Sequence, residues 1–253
     1  MAELWTNLAL TSSQFLFLIG CCLLAGMVRG FAGFALSAVV MALAVLVLPP
    51  VEIIPILWWQ EMTASVLMVR GGWREADRRI VLGLVIGSTI GLPVGLALTQ
   101  ALPVDLSKMV ALSVIIVLAL SQLAKLRISW LASTPGLYGS GLIAGIVSGL
   151  ANVGGMVVAI YMLAQDAPAR VMRASLVVFL ATSFLIAIVT LIIMGVMTET
   201  AVWRGLALAP FSALGVALGT LLFRPAWEPY YKPFCLILLI ALALISLVRE
   251  VVL

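Results

Sequence analysis

Two charged residues stand where an apolar chain least tolerates them. Arg29 lies in Gly26-Met27-Val28-Arg29-Gly30-Phe31-Ala32-Gly33-Phe34, in the middle of an apolar run from about Ser13 to Leu48. Glu61 lies halfway along the next run, from about Ile53 to Val69. A charge at such a depth in hydrocarbon costs at least a few kcal/mol, so each must face protein, water or a counter-ion. A guanidinium offers five donors in a fixed fork suited to oxyanions, and anion binding is the chemistry Arg29 fits. The plainer alternative is an arginine that ties a tip to backbone carbonyls. A carboxylate in the middle of a membrane helix is either paired with a cation or held protonated, which makes Glu61 a candidate proton carrier. Its plainer alternative is a structural ion pair with Arg29 or another arginine.

Other side chains could complete such a site. Gly30 and Gly33 follow the arginine, and helix N-termini starting at a glycine break would present free N–H groups and a favourable dipole to an anion. Around Glu61 stand Gln60 and Thr63, and Trp58, Glu61, Ser65 and Met68 share one helical face. Trp58 reads first as packing and second as a pocket wall. A second glycine-rich interruption, Ser148 to Gly155, offers the Asn152 amide with Gly154 and Gly155, for an anion or for capping the tip itself. Thr182 and Ser183 can supply hydroxyls, unless these bond back to their own helix.

The elements that must position these residues are membrane helices. Hydrophobic residues make up 64% of the 253-residue chain and charged residues 9%, with a mean hydropathy of +1.28. That is more apolar material than a soluble core of this size needs, and no segment alternates with period two as barrel strands do. The fold class is all-α, a polytopic integral membrane protein. The net charge of +4 sits in short loops and carries no nucleic-acid signal. The absence of histidine removes the commonest metal ligand and the usual neutral-pH general base. Cys21, Cys22 and Cys235 lie in apolar runs without metal spacing. No nucleotide-binding, metal or nucleophile motif is present, so no enzyme, no cofactor and no metal is expected. The expected partners are a small anionic substrate and the lipid bilayer, with a homodimer left open.

A continuous helix over 13–48 would be roughly 54 Å long against about 30 Å of hydrocarbon, so that run must break at its glycines. Spans follow at about 53–69, 80–99 and 106–123. Ser133-Thr134-Pro135-Gly136 marks a linker, and a second broken run, 137–163, precedes spans at 171–196, 202–223 and 230–248. The halves, 1–128 and 129–253, read as repeats. Ala25-Gly26, Gly30, Ala32, Pro49 and Thr63 match Ala144-Gly145, Gly149, Ala151, Pro168 and Thr182 at one offset (144−25 = 168−49 = 182−63 = 119). Gly91 and Gly95 match Gly215 and Gly219 at an offset of 124 (215−91 = 219−95). Gly83, Gly87, Gly91 and Gly95, four apart, line one helix face for close packing. If the second broken run is a hairpin, with arms of about 13 and 11 residues too short to cross, the basic residues fall on one side. These are Arg70, Arg74, Arg78, Arg79, Lys125, Arg127, Arg170, Arg173, Arg224 and Lys232. The repeats are then inverted, with the two glycine tips approaching each other within the membrane.

Arg-Gly-Phe-Ala-Gly-Phe at 29–34, Ser-Gly-Leu-Ala-Asn-Val-Gly-Gly at 148–155 and the hydropathy of both halves resemble the sulfite exporter TauE/SafE family. The resemblance covers nearly the whole chain. Here Asn152 stands where glycine is common in the family. The resemblance implies a secondary transporter of the prokaryotic inner membrane moving sulfite, sulfonates or related carboxylates. With no nucleotide motif, the drive would be an ion gradient, the membrane potential or the substrate's own gradient, and proton coupling would fall to Glu61. An anion channel of the same architecture is the alternative.

Overall fold

The computed structural model describes residues 7–32, 35–68, 76–126, 128–165, 169–222 and 228–252. Among them are ten α-helices and no strand. They are α1 (Ser12–Ala32), α2 (Leu36–Ala44), α3 (Pro50–Met68), α4 (Arg78–Ala101) and α5 (Val104–Leu123). After a 3₁₀ turn at Ser129–Ala132 come α6 (Thr134–Ala151), α7 (Gly154–Leu163), α8 (Ala169–Ile193), α9 (Glu199–Leu222) and α10 (Glu228–Val252). A long helix, a short helix and three more thus occur twice. Six helices are long and apolar enough to cross a membrane: α1, α4, α5, α8, α9 and α10. The span expected at 53–69 is a helix but not one of the six, because Gln60, Glu61 and two tryptophans dilute its apolar character.

Local chemistry sets where helices start. The Asp77 carboxylate accepts the N–H groups of Arg79 and Ile80 at the head of α4. Ser133 accepts the Gly136 N–H at the head of α6, with Pro135 pre-shaped for the first turn. That cap starts α6 three residues before the expected Leu137. The arm is therefore 18 residues, about 27 Å, rather than the expected 20 Å. The 10-residue α7 remains short, at about 15 Å.

The second break falls inside the expected Ser148–Gly155 interruption, whereas the first falls at the far end of its glycine cluster. α1 continues unbroken through Gly26, Arg29 and Gly30, and the left-handed residue at the turn is Ala35 (φ 71°). In the second half it is Asn152 (φ 55°), a residue type that tolerates this conformation. Gly26 and Gly30 act as packing positions instead of breakers. A Cβ on Gly26 would strike the Ser212 carbonyl and come 2.9 Å from Gly215 Cα. One on Gly30 would lie 2.8 Å from Gly219 Cα.

The same contacts recur on the other side of the molecule, residue for residue at the offsets of 119 and 124. Gly145 meets the Ser88 carbonyl as Gly26 meets that of Ser212, and Gly149 meets Gly95 and Leu96 as Gly30 meets Gly219 and Thr220. Gly91 meets Leu142 as Gly215 meets Leu23, and Gly95 meets Ile146 as Gly219 meets Met27. Each half therefore lends its first helix to the other half's glycine-lined fourth: α1 lies along α9, and α6 along α4. Backbone-to-backbone approach of this kind is how helices associate where the hydrophobic effect cannot drive them together.

Polar contacts at the helix ends give the relative directions. The Asp77 N–H donates to Ser175 Oγ (2.9 Å), and Arg79 Nη2 donates to Thr134 Oγ1 (3.0 Å). The starts of α4, α6 and α8 thus share one end of the molecule. At the other end Arg204, at the start of α9, binds Glu52 at the start of α3 and the carbonyls of Leu8 and Ala9 ahead of α1. Gln100 Nε2 there donates to the Met194 carbonyl (3.3 Å), and Lys108 of α5 pairs with Glu250 of α10 (3.0 Å). Hence α1, α3, α5 and α9 run from the Glu52 end to the Asp77 end, and α4, α6, α8 and α10 run back. Each of the four long helices of the second half thus opposes its counterpart in the first. Arg70, Arg74, Arg127 and Arg224 lie outside the described residues, as do the side chains of Arg170 and Arg173.

Candidate functional site

The two breaks meet. Asn152, at the second, donates from Nδ2 to Ser37 Oγ, two residues past the first (3.2 Å). Ser37 passes this on: its Oγ donates to Glu61 Oε1 at 2.7 Å and its backbone N–H to the same oxygen at 3.2 Å. The Glu61 carboxylate thus sits against the N-terminus of α2, where free N–H groups and the helix dipole favour a negative charge. Its other oxygen faces Arg29 Nη2 at 3.5 Å. Arg29 is only 8% exposed, and its Nε has no hydrogen-bond partner among the described residues. A buried guanidinium nitrogen without an acceptor is costly, which makes it a place for an anion to bind.

These groups line one cavity of about 150 Å³, with Arg29, Ser37, Trp58 and Glu61 on one wall. Across it stand Ser148, Asn152, Gly154 and Gly155 from α6 and α7, then Leu176, Phe179, Leu180, Ser183 and Phe184 from α8. The Ser183 hydroxyl is buried and lacks a partner among the described residues. Trp58 donates from Nε1 to the Phe184 carbonyl (3.0 Å), joining α3 to α8 across the cavity. Ser88 and Leu92 of α4 complete the lining.

Of the residues singled out in the sequence, Arg29, Trp58, Glu61, Asn152, Gly154, Gly155 and Ser183 come together here. Gly30, Gln60, Thr63 and Thr182 are not among the residues that line the cavity. Gly30 packs on α9, and Gly33 lies outside the described residues. Gln60 is fully buried against α9, accepting a hydrogen bond from Ser212 Oγ. Thr63 and Thr182 bond the carbonyls one turn back in their own helices, Trp59 (2.8 Å) and Val178 (2.9 Å). The side chain that sequence reasoning missed is Ser37, which joins Asn152 to Glu61. Ser148 was missed too, although the repeat offset points to it as the counterpart of Arg29 (148−29 = 119).

The N-terminus of α7 differs from that of α2 in one respect. The counterpart of Glu61 is Leu180 (180−61 = 119), so among the described residues no carboxylate takes the equivalent place at Gly154 and Gly155, and Val153 provides no side-chain cap. A Cβ on Gly155 would meet only Leu180 Cδ2, at 3.6 Å. A helix start facing a cavity with a buried arginine, and without an anion of its own, can receive an oxyanion.

Opposed helix sets around a charged, partly apolar central cavity define a polytopic α-helical membrane protein. The family model described as sulfite exporter TauE/SafE matches residues 18–245, and the chain belongs to that family, one of membrane transport proteins. No curated protein and no solved structure matches the chain.

Proposed function

We propose that the protein is a secondary transporter moving a small organic or sulfur-containing oxyanion, such as sulfite, a sulfonate or a related carboxylate, with proton coupling at Glu61. The observation that carries this reading is the Arg29 Nε, without a partner among the described residues, in a cavity bordered by the start of α7, which Val153 does not cap. The oxyanion binds between Arg29, Asn152 and the Gly154–Gly155 N–H groups, while Phe179, Leu180 and Phe184 accept an apolar substituent. It takes at α7 the place that the Glu61 carboxylate takes at α2. An arriving anion competes for Arg29 and weakens its hold on Glu61, which then takes up a proton; anion and proton move together.

The two repeats, 1–128 and 129–253, form the two halves of the carrier, and their inversion gives equivalent access from either face. The basic residues at the Asp77 end, Arg78, Arg79 and Lys125, orient that end to the cytoplasm of a prokaryotic inner membrane.

A thermal-shift and binding screen of the detergent-purified protein against sulfite, sulfate, sulfoacetate and small carboxylates tests the reading. Saturable anion binding that is lost in Arg29→Ala supports it. Binding only of cations or neutral solutes overturns it. Counterflow in proteoliposomes separates a carrier from an anion channel, for which flux rises linearly with concentration.

A further inference from the structure

The inverted repeats are not in the same state. In the first half, α3 is sealed onto α9. Leu57, Gln60 and Ala64 are completely buried, Gln60 accepts from Ser212, and Gly205 leaves room for Trp59, whose ring a Cβ there would strike. In the second half, the counterparts of Leu57, Gln60 and Ala64 are Leu176, Phe179 and Ser183 (57 + 119, 60 + 119, 64 + 119). The counterpart of Ser212 is Ser88 (212−124). These four line the cavity: at the level where Leu57, Gln60 and Ala64 are buried in the α3–α9 seam, their mates on α8 face the cavity that Ser88 of α4 also lines. Ser88 bonds the Val85 carbonyl of its own helix, with no partner on α8.

The two ends differ in the same sense. The α3–α9 seam is closed at the Glu52 end by the Arg204–Glu52 ion pair, with Arg204 also holding the Leu8 and Ala9 carbonyls. The equivalent positions at the Asp77 end are Ile80 (204−124) and Val171 (52 + 119), which cannot form such a pair. One seam is therefore shut and latched by an ion pair, and its symmetry mate is open into the cavity at mid-length, held near its ends by the neutral hydrogen bonds of Asp77 N–H to Ser175 Oγ and of Gln100 Nε2 to the Met194 carbonyl. Two arrangements of one repeat pair, related by an inverting pseudo-axis, are the two states that a carrier must interconvert.

We infer that the seam between α3 and α9 is the second half of the anion's pathway: it opens to the Glu52 end when α8 closes onto α4, and the Gln60 amide and Ser212 hydroxyl receive the anion there. This rests on the transport reading above. A second observation favours the polar role. Gln60 Nε2 is fully buried without a hydrogen-bond partner among the described residues, although its counterpart on the open seam is the apolar Phe179. An amide donor left unpaired in a dry seam costs stability in the closed state, and it gains a partner once water or an oxyanion enters. The glycine-zipped pairs α1–α9 and α4–α6, in backbone contact, form the frame against which α3 and α8 swing.

Site-directed labelling of the full chain tests this, in a background with Cys21, Cys22 and Cys235 replaced by serine. Single variants Ala64→Cys and Ser183→Cys, at equivalent positions, are exposed to a membrane-impermeant maleimide from each face. Cysteines at Lys125 and Thr198 mark the Asp77 and Glu52 ends. Ser183→Cys is expected to react from the Lys125 face. Ala64→Cys is expected to react only from the Thr198 face, several-fold faster when Glu52→Gln removes the latch. An Ala64→Cys protein that stays unreactive from both faces while Ser183→Cys reacts overturns the inference. So does reaction from the Lys125 face.

Transport of ³⁵S-sulfite by proteoliposomes provides the second measurement. Bridging Trp59→Cys to Gly205→Cys, which face each other across the same seam and are not among the groups that receive the anion, with a short, reducible bifunctional thiol reagent should stop flux, and reduction should restore it. Undiminished flux through fully bridged protein overturns the inference. If the unbridged protein carries neither sulfite, sulfoacetate nor small carboxylates, the transport reading has failed instead. The labelling pattern then still decides whether the seam opens.

Discussion

At the helix seams Gly26 and Gly145 meet the same atom of equivalent residues, the carbonyls of Ser212 and Ser88. One turn further along, Arg29 and Ser148 share a position and little else. The same contrast holds on the third helix of each half, with Glu61 opposite Leu180, and at the start of the short helix, with Ser37 opposite Met156 (156−37 = 119). The halves keep common chemistry where backbones touch and diverge where side chains face the cavity. A seam of backbone atoms leaves no room for any side chain, so only glycine or another very small residue satisfies it on both sides. A cavity imposes no such limit. One wall can carry the charges that hold an anion and the other the apolar surface and empty helix start that it rests against.

The largest effects should come from making the halves equally defective. Gly91→Leu and Gly215→Leu each drive a side chain into backbone, at the Leu142 and Leu23 carbonyls. Each should destabilise by about 3 kcal/mol or more, seen as loss of the monodisperse peak in size-exclusion chromatography. Gly20→Leu on α1, where an added Cβ meets nothing within 4 Å, should leave the peak unchanged. Equal damage at 91 and 215 sharpens the symmetry; tolerance at one of them breaks it.

Next come the unequal pairs. Arg29→Ala should weaken anion binding roughly tenfold to a hundredfold, a loss of about 1.5–3 kcal/mol for a charge-assisted contact. Ser148→Ala should stay within about fivefold of the parent in the same titration. If the two alanine variants bind alike, Arg29 is a structural residue and the division between the walls fails. Glu61→Gln keeps an acceptor for Ser37 and should hold binding within about fivefold, while uptake in proteoliposomes loses its response to an imposed pH gradient. Leu180→Gln, its mate, should leave that response intact. Uptake by Glu61→Gln that follows the gradient as the parent does removes Glu61 as the coupling group.

The smallest effect belongs to the link between the halves. Ser37→Ala removes the hydroxyl that Asn152 donates to and one of the donors to Glu61. About 1 kcal/mol, or roughly fivefold in anion affinity, is the expected loss. Met156→Ala should change affinity less than that.

Much of this was legible in the chain. Apolar runs of spanning length bounded by proline and basic loops determine membrane helices, because the backbone of a segment in hydrocarbon must satisfy its own hydrogen bonds. The offsets of 119 and 124 identified equivalent glycines that the structure pairs with equivalent partners. Arg29 and Glu61 stood out because charge in an apolar run needs a partner, and they are partners to each other. What the chain could not decide is which side of each helix meets what. Gln60 and Glu61 are neighbours in sequence, and one turns to the α9 seam while the other turns to the cavity. Gly26, Gly30 and Gly33 look alike as breakers, yet the first two lie inside a helix against α9. Glycine serves a turn and a close approach equally well, so only the presence of a neighbouring backbone distinguishes the two. Ser37 gives no sign in the sequence of its role, because its partners are 24 and 115 residues away. Tertiary structure alone brings two chain breaks of opposite direction to one place and makes of them a single site.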